Sequence, residues 1–163
     1  MTLIKIGKIV NTHGIKGELR LLSKFPYKDK VFINNMTIYI DKKDEEIINT
    51  YRKHKNFDMI TLKGYSNINE VLKYKGKNVY VNDSDIKLDN NKYLDEELIG
   101  LNVIYEDNNK GTIVDIERYD KTVLFNIKNN DKEYLIPYND NIIDKIDINN
   151  KRIYIKDIKG LFD

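Results

Sequence analysis

The chain has 163 residues, of which 40% are hydrophobic and 33% are charged. Its 28 Lys and Arg residues nearly cancel 26 Asp and Glu residues, so the formal net charge is only +2. This balance argues against a uniformly polycationic nucleic-acid binder, and the apolar content with 12 Tyr argues against wholesale disorder.

Short runs in which apolar and polar residues alternate dominate the chain, and a period of two predicts β-strands. Many such runs separated by turn residues are typical of antiparallel sheets folded as barrels or sandwiches. The fold class is therefore predicted as all-β. The predicted strands cover residues 3–10, 18–22, 36–40, 57–62, 78–81, 101–105, 112–116, 122–127, 133–136 and 152–155.

Two short helices interrupt this pattern. Asn67 followed three residues later by Glu70 has the spacing of a capping box, which predicts a helix over 67–75 that Gly76 ends. Ile68, Val71 and Leu72 would form its apolar face. A second helical turn is predicted over 95–98.

A polar segment, residues 82–92, is the candidate boundary between two domains. Residues 1–88 contain 17 basic and 10 acidic residues, a net charge of +7. Residues 89–163 contain 11 basic and 16 acidic residues, a net charge of −5, and the two sum to +2. Two surfaces with different partners and a chance distribution of charge explain this split equally well.

A glycine loop, His13-Gly14-Ile15-Lys16-Gly17, joins the first two predicted strands. Two glycines three residues apart allow positive φ, and backbone N–H groups beside Lys16 and Arg20 can meet a phosphate. It is not a P-loop, because a strand follows it where a P-loop requires a helix. From the local pattern alone, a plain connecting turn is the better explanation.

The first 30 residues are strongly basic, with seven Lys or Arg residues against Glu18 and Asp29. Such a patch suits an RNA backbone, although a solvated strand face would look the same. Phe25, Tyr27 and Phe32 lie nearby, where they would stack on bases or join the core.

Nothing in the sequence makes a positive case for catalysis or for a cofactor. His13 and His54 have no nucleophile at a recognised spacing, and the absence of Cys removes thiolate chemistry. Residues 106–117 resemble a calcium loop only superficially, because Lys110 occupies a ligand position. We interpret Asp107–Gly111 as a hairpin turn instead. No apolar run approaches the roughly 20 residues of a membrane span, so we expect a cytoplasmic protein.

Five segments in this order resemble the ribosome maturation factor RimM family over nearly the whole chain. They are IGKIVNTHGIKGELRL, YRKHKNFDMITLKGYSNINEVLKYKGKNVYV, YLDEELIGLNV, GTIVDI and YLIPYNDNIIDKIDINNKRIYI followed by GLF. The resemblance implies a six-stranded barrel like those of translation factors over 1–84, a linker over 85–92 and a PRC-type barrel over 93–163. It also implies a non-enzymatic factor without a cofactor.

The partners implied by this resemblance are immature small ribosomal subunits, their rRNA, and the ribosomal protein number nineteen of the subunit head. The protein would assist maturation of the 3′ (head) part of the rRNA, as a monomer. Family members often carry two aromatic residues at the start of the second domain, which here are Tyr93 and Leu94. Tyr93 and Leu94 would contact the ribosomal protein, although Leu94 departs from the aromatic pair. The alternative for Tyr93 is a linker residue that packs one barrel on the other.

On this interpretation His13, Gly14, Lys16, Gly17 and Arg20 form a loop that faces rRNA. The alternative function is that of a general RNA-binding barrel without a dedicated ribosomal-protein partner. A third hypothesis, an enzyme, would require a deep pocket with convergent polar groups around His13 or His54.

Overall fold

A computed structural model describes residues 1–163, and the chain divides into two compact units, residues 1–88 and 89–163. Each unit contains six strands and at least one very short helix, which confirms the all-β prediction. None of the helices has the length and apolar character required to cross a bilayer.

The strands of the first unit form one closed ring in the order β1-β2-β5-β4-β3-β6, and every pairing is antiparallel. Alternate apolar side chains on these strands point inward and are fully buried, such as Leu19 and Leu21 of β2. The strands are β1 (Leu3–His13), β2 (Glu18–Leu22), β3 (Thr37–Ile40), β4 (Asp44–His54), β5 (Phe57–Leu62) and β6 (Asn78–Asn82).

Helix α1 (Ile68–Val71) begins at the predicted capping box. The Glu70 N–H donates to the Asn67 side chain, whereas the Glu70 carboxylate accepts from the Asn67 N–H at 3.1 Å. After Val71 the chain tightens into a 3-10 turn over Leu72–Tyr74. This change of pitch buries Tyr74 and leaves Leu72 48% exposed, so the prediction that Leu72 lies on the apolar face was wrong.

The strands of the second unit follow the order β10-β9-β8-β7-β12-β11, and its only parallel pair is β7 with β12. They enclose one core that includes Phe125, Ile136 and Ile153. The hydrogen-bonded order ends at β10 and β11, so closure of this sheet into a barrel stays a prediction. The elements are α2 (Asp95–Leu98), β7 (Asn102–Tyr105), β8 (Asn108–Arg118), β9 (Val123–Asn129), β10 (Lys132–Pro137), β11 (Ile143–Asp147) and β12 (Arg152–Ile155).

The hairpin between β7 and β8 is present, but its turn is shorter than predicted. Glu106 and Asp107, with φ of 50° and 63°, form the two-residue turn, and residues 108–111 already belong to β8. Gly111 lies at a register shift in this hairpin, where an added Cβ would be 2.3 Å from the Lys128 carbonyl oxygen. This position therefore requires glycine.

Candidate nucleic-acid interface

The glycine loop between β1 and β2 has the backbone that its sequence predicts. Gly14 and Gly17 have φ values of +71° and +92°, which confirms that both glycines adopt positive φ. Gly14, Ile15 and Lys16 are exposed, and Ile15 is 79% exposed at the tip of the loop. Gly17 is buried, because the loop approaches the backbone of Asn67 closely.

Helix α1 holds this loop in place. The Ile68 N–H donates to the Ile15 carbonyl oxygen at 2.9 Å. A Cβ on Gly17 would lie 3.1 Å from the Asn67 carbonyl oxygen, so only glycine fits there without displacement. The capping box at Asn67 fixes the orientation of that carbonyl, so the loop has a defined conformation against α1.

Arg20 joins the loop to the outer face of the sheet. Its guanidinium Nη2 donates to His13 Nδ1 at 2.8 Å, and its Cζ lies 4.9 Å from the centre of the Phe57 ring. Because a guanidinium only donates, Nδ1 of His13 is the acceptor in this contact. Arg20 Nε is buried and makes no hydrogen bond.

The β4–β5 hairpin brings further cationic side chains beside the loop. Arg52 donates two hydrogen bonds to the Glu18 carboxylate, at 2.9 and 2.7 Å. This bidentate pair lowers the pKa of Glu18. Arg20 and Arg52 both pair with Met59 in register, and Met59 is fully buried beneath these neighbours although it lies on the outer face.

His54 lies at the end of β4, opposite Phe57, and its ring centre is 5.9 Å from that of His13. The side chain is half-buried. Burial lowers the pKa of His54, and the charges of Arg52, Lys55, His13 and Arg20 lower it further. The imidazole is therefore neutral near pH 7.

These side chains form one group on a single face of four strands, which we call the loop–hairpin cluster. Apart from the two imidazoles, two arginines and one glutamate give it a net charge of +1, and the exposed Lys16 and Lys55 beside it raise this to +3. Such a surface attracts phosphate electrostatically. Its members are His13, Glu18, Arg20, Arg52, His54 and Phe57.

Not every residue of the basic N-terminal patch contributes to this surface. Lys28 Nζ is 2.8 Å from the Asp58 carboxylate, which is fully buried and also accepts from the Tyr51 hydroxyl at 2.6 Å. Phe32 is 2% exposed and stacks on Tyr51, so it belongs to the core. Phe25 is half-buried and makes an edge contact with a neighbouring ring.

The second pair of candidate residues lies at the start of the second unit. Tyr93 is half-buried and packs against the core of that unit. Leu94 is only 8% exposed, and its N–H donates to Glu97 at 2.9 Å at the start of α2. Arg118 donates to Asp95 at 2.5 Å, which fixes the same turn. Tyr93 is therefore the more accessible of the two.

The fold and the cluster define a two-domain all-β protein whose basic first unit presents a surface suited to phosphate. A family model described as the RimM N-terminal domain matches residues 4–86, and one described as the RimM PRC barrel domain matches residues 95–161. Together these models match most of the chain, which belongs to the RimM family.

Full-length relatives agree with this assignment. Proteins named ribosome maturation factor RimM are 36% identical in an Exiguobacterium species and in Staphylococcus haemolyticus. The alignments cover 100% and 98% of this chain, and 98% and 99% of those relatives. The solution structure of the N-terminal domain of RimM from Thermus thermophilus is 19% identical over 54% of this chain and 98% of that domain, with a TM-score of 0.48. At that score the likeness adds nothing to the assignment.

Proposed function

We propose that this protein is a non-enzymatic ribosome assembly factor. It binds immature small ribosomal subunits and assists maturation of the 3′ (head) part of their rRNA. It acts in the cytoplasm as a monomer and needs no cofactor. Its full-length similarity to proteins named ribosome maturation factor carries this proposal.

The division of charge supports two kinds of partner. The first unit has a net charge of +7 and carries the loop–hairpin cluster, which suits the phosphate backbone of rRNA. The second unit has a net charge of −5, which favours docking of a basic protein. We propose that the basic partner is ribosomal protein number nineteen of the head, and that Tyr93 and Leu94 contact it, with Tyr93 the more accessible of the two.

The proposed domain bounds are 1–84 and 93–163, with a linker over 85–92, and the second domain closes as a PRC-type barrel. In this arrangement His13, Gly14, Lys16, Gly17 and Arg20 face the rRNA. The protein would hold rRNA and the head protein in compatible positions during assembly.

The experiment is co-sedimentation of the full chain with subunits from cells that accumulate immature small subunits. We expect the protein in the immature fraction and not with mature subunits. Lys16→Glu combined with Arg20→Glu should reduce this association, and the loss should be greatest at low salt, where phosphate contacts contribute most. Lys73→Glu combined with Lys75→Glu is the matched control, because both residues are exposed in the same unit.

Two outcomes would count against the proposal. Equal binding to mature and immature subunits would favour a general RNA-binding barrel instead. Unchanged binding of the Lys16 and Arg20 double variant at low salt would remove the glycine loop from the interface.

A further inference from the structure

The glycine loop supplies only part of the charged surface around it. Arg52, His54 and Phe57 come from the β4–β5 hairpin, some 35 residues away along the chain, and lie directly beside His13 and Arg20. We propose that this hairpin is the second half of the RNA-contacting surface, and that His54 takes up a proton when an RNA phosphodiester binds there. The ligand class rests on the proposed function.

Contacts within the loop–hairpin cluster fix the two halves against each other. The Glu18 carboxylate, on β2, accepts two hydrogen bonds from Arg52 on β4. The Arg20 guanidinium stands over the Phe57 ring and donates to His13. A phosphodiester that approaches Arg20 from solvent therefore meets side chains of the hairpin as well as the loop.

The neighbours of His54 explain why its protonation would depend on the ligand. The charged groups around it are Arg52 on its own strand, Lys55 in the following turn and Arg20 on β2, with His13 on β1. Partial burial and these cations lower the pKa of His54 in the free protein, so its imidazole is neutral near pH 7.

Two further groups complete the charges around His54. Glu18, on β2, is held by Arg52, which limits how much its charge can offset the surrounding cations. Lys53 is the adjacent residue of β4, and its Nζ is 3.7 Å from the buried Asp58, on the opposite face of the sheet. The balance around His54 is therefore cationic.

A bound phosphodiester reverses this balance, because its negative charge favours the imidazolium. The pKa of His54 should then be higher in the complex than in the free protein, so binding takes up a proton. By linkage, affinity rises as the pH falls from above the pKa of the complex to below the pKa of the free protein. Each unit by which the pKa rises corresponds to about a tenfold gain in affinity across that range.

The test measures binding of the full chain to a fluorescent 20-nucleotide RNA hairpin by anisotropy, between pH 5.5 and 8.0 at constant ionic strength. We expect Kd to be about tenfold lower at pH 5.5 than at pH 8.0 if the pKa of His54 rises by about one unit on binding. His54→Asn should lose most of the gain in affinity between pH 8.0 and pH 5.5. His54→Lys should bind tightly with little dependence on pH.

His13→Asn is the matched control, since these are the only two histidines in the chain. It removes the Arg20 hydrogen bond and should lower affinity across the pH range while the slope remains. NMR of the His54 ring with and without the RNA reports its pKa directly. Circular dichroism at each pH confirms that the variants are folded.

The outcomes separate this inference from the proposed function. RNA binding with a flat pH profile, or a profile that His54→Asn leaves intact, overturns the role of His54 and leaves the glycine loop as an RNA contact. No RNA binding at any pH overturns the rRNA interface of the proposed function and this extension with it. A higher pKa of His54 in the RNA complex supports the inference.

Discussion

The glycine loop offers a matched pair of substitutions that tests whether helix α1 determines its geometry. Gly14 and Gly17 both have positive φ, yet their surroundings differ. An added Cβ at Gly14 would meet nothing within 4 Å, whereas one at Gly17 would lie 3.1 Å from the Asn67 carbonyl oxygen and 3.3 Å from its carbon. Alanine at the two positions therefore separates backbone strain from this contact.

The magnitudes follow from these distances. Gly14→Ala places alanine at φ +71°, near the left-handed helical region, at a cost of about 1–2 kcal/mol. Gly17→Ala places it at φ +92°, outside that region, which costs about 1–3 kcal/mol by itself. The Asn67 carbonyl cannot move away freely, because the capping box holds it, so the total for Gly17→Ala is about 2–4 kcal/mol.

The assay is hydrogen exchange of the Ile68 amide, which donates to Ile15 across the interface between loop and helix. A difference of about 1.4 kcal/mol makes the exchange of this amide about tenfold faster in Gly17→Ala than in Gly14→Ala. RNA affinity should also fall more in Gly17→Ala than in Gly14→Ala, because the added Cβ at Gly17 forces the loop away from Asn67. Equal exchange rates in the two variants would refute the assignment of a positioning role to this contact.

Two other substitutions test the buried carboxylate of the first unit and the start of the second. Asp58→Ala should destabilise the first unit by about 3 kcal/mol. This is the lower end for a broken buried pair, because Lys28 is partly exposed and can rehydrate. Urea unfolding measures the change, and a loss below about 1 kcal/mol would show that the Tyr51 and Lys28 contacts contribute little. Tyr93→Ala should weaken binding of the head protein in a pull-down with the full chain, whereas Tyr119→Ala, at a 59% exposed position of the same unit, should leave it unchanged. Equal retention of the head protein by both tyrosine variants would contradict the proposed contact.

Short strands rich in regularly spaced apolar residues were the most predictable part of the fold. The predictions over 18–22, 57–62 and 152–155 agree with β2, β5 and β12 at both ends. In β2 and β12 buried side chains alternate with more exposed ones as the sequence pattern predicts, whereas in β5 Asp58, Met59 and Ile60 are buried in succession.

Two strands, β4 and β11, were not predicted, and β4 shows why. Its sequence, DEEIINTYRKH, contains a single buried residue, Ile48, so almost no periodic apolar signal remains. Pairing with β3 on one side and β5 on the other specifies this strand instead. Such long-range pairing cannot be read from the local sequence of β4.

The missing strand is also why half of the candidate site was not predicted. Arg52 and His54 lie on β4, and only its pairing with β5 places them opposite Met59 and Phe57. The sequence does contain a signal, the basic run from Arg52 to Lys55. A charge run alone, however, does not indicate which other segment it lies beside.

The arrangement of charge also changes how the net charge of the first unit is interpreted. Some of its cations are already bound to carboxylates of the same unit: Lys28 and Lys53 to Asp58, and Arg52 to Glu18. The net charge of +7 already subtracts these carboxylates, but it does not show where the remaining cations lie on the surface. Because the salt dependence of binding counts phosphates that are neutralised, it depends on local groups such as Arg20 and not on the total. The loop–hairpin cluster, with few but fixed cations, is therefore the part of the unit that can make binding depend on geometry as well as charge.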